Sequence, residues 1–329
     1  MKKISWILAV SCLFLASCRQ TQKHPVDFYY WKTNVQIGET EQSYFEKLNS
    51  EKLYIRFFDI DKKGSDIFPL AKVSLFDSEA LSAEYIPVVF ITNRTFTGIS
   101  DEQIQSLAIN VSTLIDEIGV ANSISPITEI QIDCDWTQTT KAAYFQFLKT
   151  LESVSGKKVT CTLRLHQIKF KDKTGVPPIS KGYLMCYATS DPKETSTRNS
   201  ILDIELLKDY TVDIENYPID FDVALPIFSW GIVTNHLGKI KLINNVTAND
   251  LDTEFFEQTG ENTYRITQDF FFRDMYLNKG FTLKIENITP QLLNETKRYL
   301  SKKIKKPYHI VYYHLDEVFL KQYTIQELE

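Results

Sequence analysis

The string EIQIDCDWT, Glu129 to Thr137, places two carboxylates two residues apart at the end of an apolar run. Side chains alternate along an extended chain, so Asp133, Asp135 and Thr137 share one face while Cys134 and Trp136 take the other. Two carboxylates about 7 Å apart at their α-carbons, turned into one pocket, repel each other. The pKa of the more buried one rises unless a cation or hydrogen bonds compensate. Such a pair suits acid and base chemistry or the grip of a hydroxyl-rich ligand. The plainer reading is an internal ion pair at Asp133 and a loop start at Asp135.

A second run, Lys158 to Ile168, strengthens the first. Thr160, Thr162, Arg164 and His166 alternate there with Val159, Cys161, Leu163 and Leu165. Alternation predicts the polar set on the inner face, with Arg164 and His166 beside the strand of Asp133 and Asp135. On an earlier apolar run, Leu53 to Asp61, the charged residues Arg56, Asp59 and Asp61 have mixed parity, so which of them pairs inside and which faces the mouth stays open. Aromatic residues at strand ends complete the pattern: Tyr187, Trp230 and Tyr313. A flat ring stacks on the apolar face of a pyranose, whose hydroxyls need carboxylates, Arg or Asn. His236, His309 and His314 are scattered without metal-ligand spacing, and no Cys and His cluster or GxSxG elbow is present. Neither a metal nor a cofactor is expected.

These residues need a scaffold. Eight strand-like segments recur with helical ones between them: Val26 to Trp31, Leu53 to Asp61, Ala83 to Thr92, Glu129 to Trp136, Lys158 to Ile168, Gly182 to Ala188, Phe221 to Trp230 and His309 to Leu315. Helical spacing of apolar residues marks Gln42 to Leu48, Asp101 to Ile118 with Ser100 as its cap, Thr139 to Val154, Leu202 to Tyr210 and Pro290 to Ile304. Eight strand-then-helix units predict a closed (β/α)8 TIM-like barrel, whose sites lie at the carboxyl ends of the strands. An open doubly wound sheet is the alternative, but no Gly-rich phosphate loop follows the first strand. The connection between strands seven and eight is too long for one link. Its short strand-like segments predict a β-rich insertion over residues 236–287.

The Glu129–Thr137 run is similar to the fourth-strand signature DGxDxDxE of family 18 glycoside hydrolases, chitinases and their relatives. Asp133 and Asp135 fall on its second and third acidic positions, whereas Ile130 stands at the first Asp and Thr137 replaces the Glu that serves as general acid. The resemblance implies a barrel and a carbohydrate ligand, but a Thr cannot donate a proton as that Glu does. A further resemblance, over about 200 residues, is to a family of bacterial barrel-like proteins of unknown function, carried by Ile130 to Asp135, Tyr144 and Leu225-Pro226. It supports the fold and supplies no activity.

At the amino terminus, Lys2 and Lys3 precede an apolar run from Ile4 to Leu15, and Leu15-Ala16-Ser17-Cys18 has the order of a lipobox. Residues 1–17 read as a cleaved export signal, and resemblance to bacterial lipoproteins implies lipidation of Cys18. Residues 18–25 form a tether and 26–329 the barrel. Arg19 in place of Asp favours the outer membrane, with the leaflet open. The roughly 310 residues that remain, rich in apolar side chains, can bury a large core. Loss of Lys2 and Lys3 moves the formal charge from -5 to -7, which argues against nucleic acid as a partner. Cys134, Cys161 and Cys186 fall in strand-like runs and read as small core residues.

The reading that joins these features is a cell-envelope lipoprotein whose barrel binds a carbohydrate through Asp133, Asp135, Asp61, Arg164, His166, Tyr187 and Trp230. Hydrolysis stays open. It requires a proton donor from Asp61, Asp191, Asp316 or Glu317, and the alternative is a non-catalytic glycan- or protein-binding lipoprotein on a degenerate hydrolase scaffold.

Overall fold

The computed structural model describes residues 23–74, 81–124, 126–194 and 196–329. The export signal and Cys18 lie outside the described residues. Strand β1 (Val26–Tyr30) is buried at all five positions, and so is β5 (Glu129–Asp133). Burial on both faces is what a parallel strand meets when barrel core lies inside and helices outside. With β2 (Lys52–Lys63), β4 (Glu84–Ile91), β6 (Lys158–Arg164), β7 (Lys181–Met185), β8 (Asp220–Pro226) and β16 (Ile310–Tyr313), these strands pair in parallel in the order β1-β16-β8-β7-β6-β5-β4-β2. The register Phe28↔Leu53 between β1 and β2 closes the ring. The eight predicted strands are therefore the eight strands of a closed barrel. Strand β3 (Asp66–Leu70) is an added antiparallel edge on the end of β2, joined through Gly64, whose φ of 63° suits a residue without a side chain.

Helices α1 (Glu39–Lys47), α2 (Asp101–Ala121), α3 (Lys141–Ser155), α4 (Leu165–Lys169), α5 (Ile204–Tyr210) and α6 (Pro290–Lys303) connect the strands. Ser100 caps α2 with a capping box to Gln103, as the sequence suggests. Helix α3 packs Tyr144, Phe147, Leu148 and Leu151 on the barrel. A Cβ at Gly182 would lie 2.5 Å from Leu163 Cδ1, so the Leu163 side chain packs into the space that the glycine leaves open. Cys134, Cys161 and Cys186 are free and buried.

Between β8 and β16 lies an antiparallel sheet of β9 (Trp230–Thr234), β10 (Ile240–Asn244), β11 (Phe256–Gly260), β12 (Thr263–Ile266) and β15 (Thr282–Glu286), in the order β10-β9-β15-β12-β11. A hairpin of β13 (Phe270–Phe272) and β14 (Met275–Leu277) joins it. The sheet has its own core around Val233, Val246, Phe256, Ile266 and Leu283. The insertion starts at Trp230, not at residue 236. Trp230 does not end the seventh barrel strand, which stops at Pro226, but opens β9. A mostly apolar run, broken only by Pro226 and Ser229 between Val223 and Val233, does not reveal that the chain changes sheet.

A second correction concerns His166. The fifth barrel strand, β6, ends at Arg164 and the chain turns at once into α4. The Gln167 side chain accepts from the Arg164 backbone N–H at 2.7 Å and donates to the Trp136 carbonyl at 3.1 Å. His166 is an exposed helix residue, off the barrel face on which alternation would put it.

Candidate functional site

Strand β5 carries a polar column up the barrel axis, because alternate residues face inward. At its lower end Glu129 accepts from Thr160 and Tyr183, both at 3.0 Å, and pairs with Lys158 at 3.0 Å. One level up, Gln131 accepts from the Tyr29 hydroxyl at 2.8 Å. Asp133 follows, receiving the Thr162 hydroxyl at 2.6 Å with Arg164 Nη2 at 3.4 Å. Asp135 stands at the top, where Arg164 Nε donates to it. Arg164 therefore bridges the two carboxylates that sequence spacing brought together. The Asp133 side chain is 4% exposed and that of Asp135 52% exposed, so the first is floor and the second rim.

Electrostatics follow depth. Burial raises the Asp133 carboxyl above the usual range, and the Arg164 charge and Thr162 hydrogen bond offset only part of that. Burial alone would lower the Arg164 pKa, but Asp133 and Asp135 outweigh it and the net shift is upward. Partial loss of solvent on the side of its ring that faces the protein lowers the His166 pKa, with Asp135 opposing.

A cleft of about 500 Å³ opens at the carboxyl ends of the strands. Asp133, Asp135, Arg164, Tyr187 and Trp230 of the predicted set line it, while His166 and Asp61 do not. Asp61 lies further along β2 and is held by Arg94 and by the Thr92 hydroxyl at 2.7 Å. These bonds, led by Arg94, lower its pKa. The mixed parity of Arg56 and Asp59 has a cause that sequence alone hides: the β2–β4 register shifts between Arg56 and Phe58. That bulge turns both side chains to the mouth. Arg56 Nε then donates to Asp59 at 2.7 Å, and its guanidinium lies 5.8 Å from the Trp31 ring centre.

Seven Phe, Tyr and Trp rings line the cleft: Trp31, Phe90, Tyr187, Phe228, Trp230, Tyr313 and Phe319. Tyr313 lies 5.7 Å from Trp31, 5.8 Å from Tyr187 and 5.6 Å from Phe228 between ring centres, so it links the two sides of the wall. Trp230 is set by Glu286 of β15, which accepts its indole N–H at 2.9 Å and the Ser200 backbone N–H at 3.0 Å. Burial would raise the Glu286 pKa, but hydrogen bonds from Lys284, Ser200 and Trp230 bring it below the usual value.

Sequence reading missed Trp31, Phe90, Phe228, Asn244, His314 and Phe319 as lining residues. Trp31 carries the strand-end signal used for Tyr187. Asn244 carries none, since the insertion places it. Burial lowers His314 to about 4, against an attraction from Asp316, 3.8 Å away.

Thr137 is exposed and opens the turn into α3, with its hydroxyl 2.9 Å from that of Thr139. Asp191, Asp316 and Glu317 do not line the cleft. Asp316 instead caps a short helix, α7 (Glu317–Leu320), and pairs with Lys32 at 2.7 Å. Among the described residues, no group of three or more His, Cys, Asp and Glu side chains is placed to hold a metal ion. Nor, among them, is any helix long and apolar enough to cross a membrane.

No family model matches the sequence, and no curated protein matches it. Solved structures do. The spore cortex-lytic enzyme SleL of Bacillus cereus superposes with a TM-score of 0.57 at 13% identity, over 94% of this chain and 74% of that one. A chitinase from Chromobacterium violaceum gives 0.54 at 12% identity, over 93% and 99%. Catalytic domain 2 of the Ostrinia furnacalis Group II chitinase, solved as a mutant with (NAG)5, gives 0.52 at 10% identity, over 93% and 95%. The fold of this chain is the closed parallel barrel of the chitinase-like glycoside hydrolases, with extra β-structure inserted before its last strand.

Proposed function

We propose that this protein is a cell-envelope lipoprotein, held in the outer membrane through Cys18, whose barrel mouth binds a carbohydrate without hydrolysing it. One observation carries the reading: seven Phe, Tyr and Trp rings and three carboxylates, Asp59, Asp133 and Asp135, meet in one cleft with two arginines. Rings offer stacking faces for pyranoses, and the fixed ions offer donors and acceptors for hydroxyls. The solved neighbours add support, since two are chitinases and one holds (NAG)5.

Binding is favoured over turnover because the groups that chemistry requires are committed elsewhere. Thr137 stands where the family 18 signature has its general acid and packs its hydroxyl into a helix start. Asp59 and Asp135 are each occupied in an ion pair with an arginine. The second reading, hydrolysis, rests on Asp133, whose raised pKa is what a buried general acid needs. Calorimetric titration of the purified chain with neutral and acidic oligosaccharides, alongside an assay for new reducing ends, separates the two. Saturable binding without release of reducing ends is expected. Release that disappears in Asp133→Asn makes the protein a hydrolase, and no binding to any glycan removes the cleft from carbohydrate recognition.

A further inference from the structure

Helix α6 ends in the run Ser301-Lys302-Lys303-Ile304-Lys305-Lys306, which leads through Pro307 and Tyr308 into β16. This run lies at the amino ends of the barrel strands, opposite the cleft. Lys306 pairs with Asp220, the first residue of β8, at 2.6 Å, and Lys303 Nζ reaches the Val212 carbonyl at 3.1 Å. Other lysines at this end are taken up by buried carboxylates: Lys158 and Lys52 by Glu129, and Lys181 by Asp222. Lys302, Lys305 and Lys306 project into solvent. Lys305 caps the Lys302 carbonyl, a helix-end role. The Lys306–Asp220 pair is more than 60% exposed on both sides and so weakly held.

A second observation says what this face meets. The His24 ring stacks on Tyr308 with centres 3.9 Å apart, and its nitrogens lie 3.0 Å from Ser301 Oγ and 3.2 Å from the Tyr308 carbonyl. The Pro25 carbonyl then accepts from Ile310 at 2.9 Å. The incoming chain is thus clamped across both ends of the lysine run. Cys18 precedes His24 by six residues, and fully extended these span only about 20 Å.

We infer that Lys302, Lys305 and Lys306 form a docking surface for anionic lipid headgroups, so that the barrel rests closed end down and its cleft opens away from the bilayer. The orientation rests on lipidation of Cys18; the charge complementarity does not. A basic side chain close to an anionic leaflet contributes about 1 kcal/mol, roughly five-fold in partition, so the three lysines, less the offset from Asp220, contribute on the order of twenty-five-fold.

The test uses the unlipidated chain from residue 19, which contains every described residue, co-sedimented with vesicles of phosphatidylcholine alone or with about one third phosphatidylglycerol. Preference for the anionic vesicles is expected at low salt. It should disappear in about 0.5 M NaCl and in the triple variant K302Q/K305Q/K306Q, while Lys241→Gln on the inserted sheet leaves it intact. Equal binding to both vesicles, or an unchanged preference in the triple variant, overturns the proposal. Mass spectrometry of the cell-derived protein is the separate arm: an unacylated Cys18 with retained vesicle preference would sink the lipoprotein reading and leave the docking surface standing.

Discussion

Arg164 Nη2 lies 3.4 Å from Oδ1 of Asp133, at the floor of the cleft, while its Nε is turned up to Asp135 at the rim. One guanidinium thus serves a buried and an exposed carboxylate, and the two should fail differently when altered. Asp133→Ala leaves the Thr162 hydroxyl and part of the Arg164 charge unpaired, at a cost of about 3 kcal/mol in unfolding free energy. Asp135→Asn, where water can replace the lost bond, should cost less than about 1 kcal/mol. Its effect should fall on ligand affinity instead. Denaturant unfolding and calorimetry on both variants check this; equal loss of stability makes both residues scaffold.

His314 predicts an acid limb in stability. Its pKa falls from an ordinary 6.5 to about 4 because its ring is buried. The unfolded chain therefore takes up a proton between those values and the folded one does not. Stability is fully present above pH 6.5 and falls by up to about 3 kcal/mol as the pH drops to about 4. His314→Phe should flatten that limb, measured as unfolding midpoints in urea across pH 4 to 7. A wild-type profile with no slope there would remove the assignment.

Glu286 should act on the cleft through Trp230 alone, since it holds the indole N–H at 2.9 Å and does not itself line the cavity. In Glu286→Ala the ring loses its anchor. Tryptophan emission should shift to the red, and glycan affinity should fall about ten-fold, or about 1.4 kcal/mol. Glu286→Gln, which keeps an acceptor, should restore most of the affinity. A purely structural role would lower the melting temperature without that rescue.

Cys18→Ala should abolish lipidation and release a soluble or unprocessed protein, followed by membrane fractionation and intact mass. If the variant still fractionates as a mature, membrane-held form, residues 1–17 are not a lipoprotein signal.

The presence and order of the eight barrel strands were legible in the chain alone, because parallel strands buried on both faces must be written as apolar runs, and these stand out between helical periods. The sequence also determined the inward face of β5 and β6. A period of two decides which side Glu129, Gln131, Asp133, Thr160 and Thr162 occupy, and their hydrogen bonds confirm the parity. Where local conformation depends on a distant partner, the pattern was silent. Only tertiary structure decided that β6 stops at Arg164, since Gln167 turns the chain by bonding to Trp136 thirty-one residues away. Only it placed the bulge that brings Arg56 beside Asp59, and the Arg94 side chain that keeps Asp61 from the cleft. Asn244 and Trp230 reach the mouth because an inserted sheet returns over the barrel, and Glu286, fifty-six residues beyond Trp230, sets that ring. Alternation reports the facing of a residue within its own strand; it holds no information about which other segment arrives to meet it.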